Sequence, residues 1–198
     1  MRVSVGTPLP WYVKTEWMRW RDQFITQLAA VAKVQVINSE GSIIDRNWSN
    51  VIGQARTWAP DWFVLLESDV TIPWHGQELL RYLEKCPYDA VMSPGGGVTG
   101  YMYRLKGDQE RGSRMLQDFS FWQNVRSTGA RIWADPSLPS KHWHAYGGFD
   151  SLPPGPAIEC YEGWMGLAVI RGWVLQSLKV LFRLADCDYY CAQNDFRE

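Results

Sequence analysis

The chain has 198 residues, a length that supports one mid-sized domain with its own core and excludes two independent enzymes. Lysine and arginine total 20 against 21 aspartates and glutamates, a formal net charge of -1, so no overall basic field exists to hold a nucleic-acid backbone. At 46% hydrophobic and 21% charged, the composition excludes a collagen, a coiled coil and a disordered tail.

In chain order, Val3 to Val5 reads as a short strand stopped by Gly6-Thr7-Pro8. The spacing of Met18, Trp20, Phe24, Ile25, Leu28 and Val31 predicts a helix from about Glu16 to Ala32. Val34 to Ile37 is a second strand, closed by the turn-like Asn38-Ser39-Glu40-Gly41. A second helix runs from Asp45, its N-cap, to Trp58 and stops before Pro60. Phe63 to Leu66 is the continuous apolar run of a buried parallel strand, and it leads directly into Glu67-Ser68-Asp69. A helix from Gly76 to Lys85, a strand Ala90 to Met92 and a loop Ser93 to Gly97 follow. This alternation predicts an α/β fold with a mostly parallel twisted sheet and helices on both faces, because parallel strands need crossover connections.

The second half is less regular. Tyr101 to Leu105 reads as a strand, Leu116 to Ser127 as a helix and Ala130 to Ala134 as another strand. The loop Gly147 to Pro156 precedes a strand at Trp164 to Ile170 and an apolar helix at Trp173 to Ala185. That last helix suits buried core, with peripheral membrane contact or a dimer interface as the other uses of such a face. No stretch reaches the roughly 20 apolar residues of a membrane span, and Met1 to Pro10 lacks the pattern of a secretory signal. A cytoplasmic protein is expected. Cys86, Cys160, Cys187 and Cys191 have no Cys-x-x-Cys spacing, which argues against structural zinc. Cys187 and Cys191 are one helical turn apart, and the spacing leaves their bonding open. The twelve Trp, nine Tyr and seven Phe serve mainly as core, with ring faces also suited to ligand stacking.

The chemistry concentrates at Glu67-Ser68-Asp69. In open α/β sheets ligands sit outside the carboxyl ends of the strands, so two acidic residues at that point face the crevice. Mg²⁺ and Mn²⁺ take oxygen ligands, often one or two carboxylates plus substrate phosphates. Two acids that merely solubilise a strand end or cap the next helix would look the same in isolation.

The surroundings add a pattern. Ile44-Asp45-Arg46-Asn47-Trp48, then Ala59-Pro60-Asp61-Trp62-Phe63-Val64-Leu65-Leu66-Glu67-Ser68-Asp69 and Pro73, resemble the metal-site core of GT-A fold glycosyltransferases of the family 2 type. There a helix opening with Arg-Asn leads to an apolar strand that ends in Asp-x-Asp; here Glu67 replaces the first Asp. Downstream, Gln117-Asp118-Phe119-Ser120-Phe121, then Gly129 to Leu138 with Asp135-Pro136, and His142 and His144, resemble the family's Glu-Asp segment, Asp-Pro strand and histidine. Glu162 to Arg171 resembles its acceptor-side strand, which in the family precedes the Glu-Asp segment. Either Thr99 to Arg104 takes that part or the order differs here.

The resemblance implies one GT-A-like domain over residues 1–198: a nucleotide-binding half at 1–97, an acceptor-side half at 98–155 and a C-terminal extension at 156–198. It implies a divalent cation, Mn²⁺ or Mg²⁺, held by Asp69, by Glu67 and by a downstream histidine, His144 in preference to His142. Thr7, Glu40 and Arg46, with Glu67 and Ser68, would meet a nucleotide-sugar donor. An inverting transfer would use Asp118 as base, with Asp150 as the rival; a retaining one needs no such base. The acceptor, whether protein, glycan or lipid, is not specified. The small size would suit a virus-encoded member acting in a host cytoplasm. A nucleotidyltransferase making an activated sugar, and a non-catalytic protein that kept the fold, are the other readings. Gly95-Gly96-Gly97-Val98-Thr99-Gly100 fits G-x-G-x-x-G but leads into a strand instead of opening a helix, so it does not mark a dinucleotide site. Asn47-Trp48-Ser49 is a glycosylation sequon only in a secreted chain.

Overall fold

A computed structural model describes residues 1–9, 13–40, 44–93, 103–105, 117–142, 155–163 and 166–178, with backbone alone for 44–46, 103–105, 117–120, 142 and 161–163. The elements are β1 (Arg2–Leu9), α1 (Thr15–Ala29), β2 (Lys33–Glu40), α2 (Ile44–Trp58), β3 (Trp62–Leu66), β4 (Val70–Thr71), α3 (Gly76–Lys85) and β5 (Ala90–Met92). They continue with β6 (Tyr103–Leu105), α4 (Gln117–Ser127), β7 (Ile132–Ala134), β8 (Lys141–His142), β9 (Ile158–Gly163), β10 (Leu167–Arg171) and α5 (Gly172–Ser177). An 8-stranded sheet has the order β2-β1-β3-β10-β5-β7-β9-β6, and β4 and β8 form a separate pair.

The sheet is sandwiched as expected. α1 and α3 cover one face through Trp17, Phe24, Leu28, Leu79 and Leu83, packed with Val3, Val5, Trp62, Val64 and Leu66. α2, α4 and α5 cover the other through Trp48, Val51, Ile52, Phe121, Trp122 and Val174, packed with Phe63 and Leu65. β3 is buried along its whole length because both faces are covered, which is why its sequence is a continuous apolar run and not an alternating one.

β1 continues through Gly6-Thr7-Pro8 where the sequence suggested a stop. A Cβ on Gly6 would lie 2.3 Å from Val51 Cγ1 and 2.7 Å from the Phe63 ring, so this glycine serves close packing of α2 on the sheet. Lys33 N–H donates to Met1 O and Asp61 N–H donates to Arg2 O, so odd residues of β1 turn their backbone groups to β2 and even residues to β3. Pro8 therefore lacks its N–H on the β3 side, beyond the last pair Gly6↔Leu65, where no ladder bond is lost. β2 likewise runs to Glu40, since Thr7, Pro8 and Leu9 pair with Asn38, Ser39 and Glu40; strand pairing overrides the turn propensity. α2 starts at Ile44, so Asp45 lies inside the first turn instead of capping it.

The sheet is more mixed than the alternation implied. β1, β2 and β3 are parallel, as are β5 and β7, but β10 is antiparallel to β3 and β5, and β9 to β7 and β6. β10, from the C-terminal region, lies between two strands of residues 1–97, and β6 lies at the far edge. Of these two strands it is β10, the later in the chain, that flanks β3. The last helix is also shorter than its apolar run. α5 ends at Ser177, with Leu178 in extended geometry, and Arg56 and Gln176 exchange side-chain bonds to each other's carbonyls at 3.2 and 2.6 Å. Val174, Leu175 and Leu178 are core; residues 179–185 lie outside the described residues. No helix among the described residues is long and apolar enough to cross a membrane.

Cys86 and Cys160 are free and buried, while Cys187 and Cys191 lie outside the described residues. Burial, helped by nearby Glu159, pushes the Cys160 thiol up to about 12. The unfolded chain releases this proton at lower pH than the folded one, so the thiol's contribution is complete below about pH 8.5 and is lost as pH rises toward 12. Urea titrations should show unfolding free energy falling by up to about 1.4 kcal/mol per pH unit from this group in that window. The slope should be shallower in Cys160→Ala; an unchanged slope would contradict the assignment.

Candidate functional site at the carboxyl edge

The parallel strands end together at Leu9, Glu40, Leu66, Met92 and Ala134, and this carboxyl edge is where an α/β sheet opens a crevice. At its centre Glu67, Ser68, Asp69 and Val70 form a tight turn closed by Val70 N–H to Glu67 O at 3.2 Å. Both carboxylates thus belong to one four-residue unit, and Glu67, Ser68 and Asp69 are half-buried.

Three distant segments hold this turn. Glu67 N–H donates to Gly166 O at 2.9 Å, at the mouth of β10. The buried Trp17 indole Nε1 of α1 donates to Val70 O at 2.7 Å. β8 pairs antiparallel with β4, Val70 opposite His142 and Thr71 opposite Lys141, with Thr71 Oγ1 donating to Lys141 O at 3.3 Å. The histidine segment recognised in the sequence is therefore brought beside the acidic turn by backbone pairing. His142 has its backbone directly across from the residue after Asp69; His144 lies outside the described residues.

A polar corner adjoins the turn at the ends of β1 and β2. Thr7 is buried at 1% exposure and pairs with Asn38, while the exposed Glu40 pairs with Leu9. Ser39 Oγ donates to Asn47 Oδ1 at 3.2 Å, and Asn50 Nδ2 donates to Ser39 Oγ at 3.3 Å. These bonds seat the first turns of α2 against β2, which puts the backbone of Arg46 at the same corner as Thr7 and Glu40. Arg21 Nη1 donates to Asn38 Oδ1 at 2.8 Å, and its guanidinium lies 5.6 Å from the Trp17 ring centroid. Trp17 and Arg21, four residues apart on α1, thus secure the turn and the corner from one helix face. Sequence reasoning missed both. Their i, i+4 spacing was the available signal; the Gly166 contact, 99 residues from Glu67 in the chain, had none.

The residues expected on the acceptor side are less gathered. Asp118 is the second residue of α4. α4 feeds β7, which runs parallel to β5, so the start of α4 points to the carboxyl edge, with β10 and β5 between β7 and β3. Asp150 lies outside the described residues. Asp135 is structural: it accepts Tyr82 Oη–H at 2.8 Å and Ser137 N–H at 2.8 Å. Burial, then the negative charge potential of Cys86 and Asp135, raises the Tyr82 pKa far above its ordinary value, so the phenol stays a hydrogen donor to Asp135.

Two carboxylates on one turn are the hard oxygen donors that Mg²⁺ or Mn²⁺ takes, and such ions commonly complete their shell with water and substrate phosphates. The donor set at Glu67 and Asp69 fits that chemistry. Among the described residues no group of three or more His, Cys, Asp and Glu side chains is gathered to hold a metal ion. Further ligands would come from substrate, water or residues outside that set.

No protein-family model matches the sequence, and no curated protein matches it. Among solved structures the chain is similar to A197 from STIV, at 10% identity and a TM-score of 0.45 over 91% of this chain and 69% of that one. It is also similar to HddC from Yersinia pseudotuberculosis, at 12% identity and a TM-score of 0.35 over 95% of this chain and 64% of that one.

Proposed function

We propose that the chain is a metal-dependent glycosyltransferase that moves a sugar from a nucleotide-diphosphate donor to an acceptor hydroxyl. The observation that supports this most is the acidic turn Glu67–Asp69, fixed by α1, β10 and β8 at the carboxyl edge, with a histidine-bearing strand paired against it. Asp69 and Glu67 would hold the cation. His144, the downstream histidine of the resemblance, would be the third ligand. Bound Mn²⁺ or Mg²⁺ would supply positive charge where the departing diphosphate becomes negative. Arg46, Glu40 and Thr7 would contact the nucleotide, and Ser68 the donor beside the carboxylates.

The test is a thermal-shift panel of nucleoside diphosphates with and without Mn²⁺, on the unaltered chain and on Asp69→Ala. A ligand present at a hundred times its Kd stabilises the folded state by about 2.7 kcal/mol. At least one nucleotide should raise Tm in the presence of Mn²⁺, and Asp69→Ala should remove the rise. No shift with any nucleotide would overturn the proposal. Turnover of sugar phosphate plus nucleoside triphosphate, without transfer from a nucleotide sugar, would replace it with nucleotidyl transfer.

A further inference from the structure

The acidic turn belongs to a closed circuit of contacts. Glu67 N–H bonds to Gly166 O; the next residue, Leu167, accepts Ser93 N–H at 3.0 Å. Ser93 Oγ donates to Ser140 Oγ at 2.7 Å, in full burial and across 47 residues of chain. Ser140 leads straight into β8, whose Lys141 and His142 pair with Thr71 and Val70, and Val70 N–H returns to Glu67 O. The Ser93–Ser140 bond is the one link in this circuit made between two side chains. Among the described residues it joins the entry of β8 directly to the end of β5, beside the burial of Leu138 in the core two residues earlier, while the ladder partner of β8 is β4.

We infer that Ser93 and Ser140 are positioning residues: their hydroxyl pair seats the histidine-bearing strand against the acidic turn and thereby sets the affinity of that turn for a divalent cation. The inference rests on the metal reading above. Its physical basis is directionality. Ser93 and Ser140 are 2% and 6% exposed, and two small apolar side chains could fill the same space, but a satisfied buried hydrogen bond adds a directional constraint on two strand ends that share no ladder. Outer-shell partners bonded directly to metal ligands typically change affinity by about 10-fold to 100-fold when removed; the serine pair acts through β8, so the low end of that range is expected.

The experiment is a manganese titration followed by electron paramagnetic resonance of the free ion, with Mn²⁺ alone as the probe. It is run on the unaltered chain, Ser93→Ala, Ser140→Ala, Ser140→Thr and the double variant Ser93→Ala/Ser140→Ala. Circular dichroism and urea unfolding accompany each. Loss of one hydroxyl leaves its partner unsatisfied, whereas loss of both can be nearly neutral for stability. The double variant therefore separates the roles: stability should recover toward that of the unaltered chain, while Mn²⁺ affinity stays about 10-fold or more below it. Ser140→Thr, which keeps the hydroxyl, should bind Mn²⁺ more tightly than Ser140→Ala. If the unaltered chain binds Mn²⁺ and the folded double variant binds it equally well, the positioning role is overturned and the metal reading stands. If the unaltered chain binds no Mn²⁺, both fall.

Discussion

Asp69→Ala is expected to lower Mn²⁺-dependent turnover of a nucleotide sugar by at least about 100-fold, the scale of loss when a stabiliser of developing charge is removed. The turn itself should persist, because its closing bond runs between backbone atoms of Val70 and Glu67 and its anchors are Gly166 O and the Trp17 indole. An effect on rate without loss of fold is therefore the diagnostic result. Substrate hydrolysis across a Mn²⁺ series, alongside urea unfolding, measures both. Glu67→Gln should cost less, since Glu67 stands where the resembled family has Asp and reaches the site through a longer arm. Turnover by Asp69→Ala equal to that of the unaltered chain would remove the catalytic reading.

Asp118→Asn is expected to reduce sugar transfer by about 100-fold to 10,000-fold, the range for loss of a general base, with donor affinity nearly unchanged. The expectation holds for an inverting reaction, in which a carboxylate takes the acceptor's proton during attack. α4 presents its first turn toward the carboxyl edge, which places the backbone of Asp118 on the correct side of the sheet, and isosteric Asn keeps the shape while removing the base. Asp150, in the downstream loop segment Gly147-Gly148-Phe149-Asp150, is the rival. Parallel kinetics of Asp118→Asn and Asp150→Asn with saturating donor distinguish them. A collapse of kcat in one and not the other identifies the base, and unimpaired Asp118→Asn moves the role to Asp150.

What the sequence determined by itself was local and periodic. The apolar run Phe63 to Leu66, the amphipathic spacing of α1, the stop at Pro60 and the alternation through Met92 all follow from short-range steric and burial rules, and the elements lie where those rules put them. The acidic pair at the end of the most buried strand was legible for the same reason: a polar tip on an apolar strand is a local contrast. Gly6-Thr7-Pro8 and Asn38-Ser39-Glu40 misled because turn propensity is weak against a full ladder of strand pairing. The tertiary structure alone decided what surrounds the turn. β10 is inserted antiparallel between β3 and β5, Trp17 reaches Val70, and the two-residue strands β4 and β8 pair across 70 residues. Such contacts are selected by the free energy of completing the sheet and satisfying buried backbone groups, and that energy depends on segments too far apart in the chain for any short pattern to record.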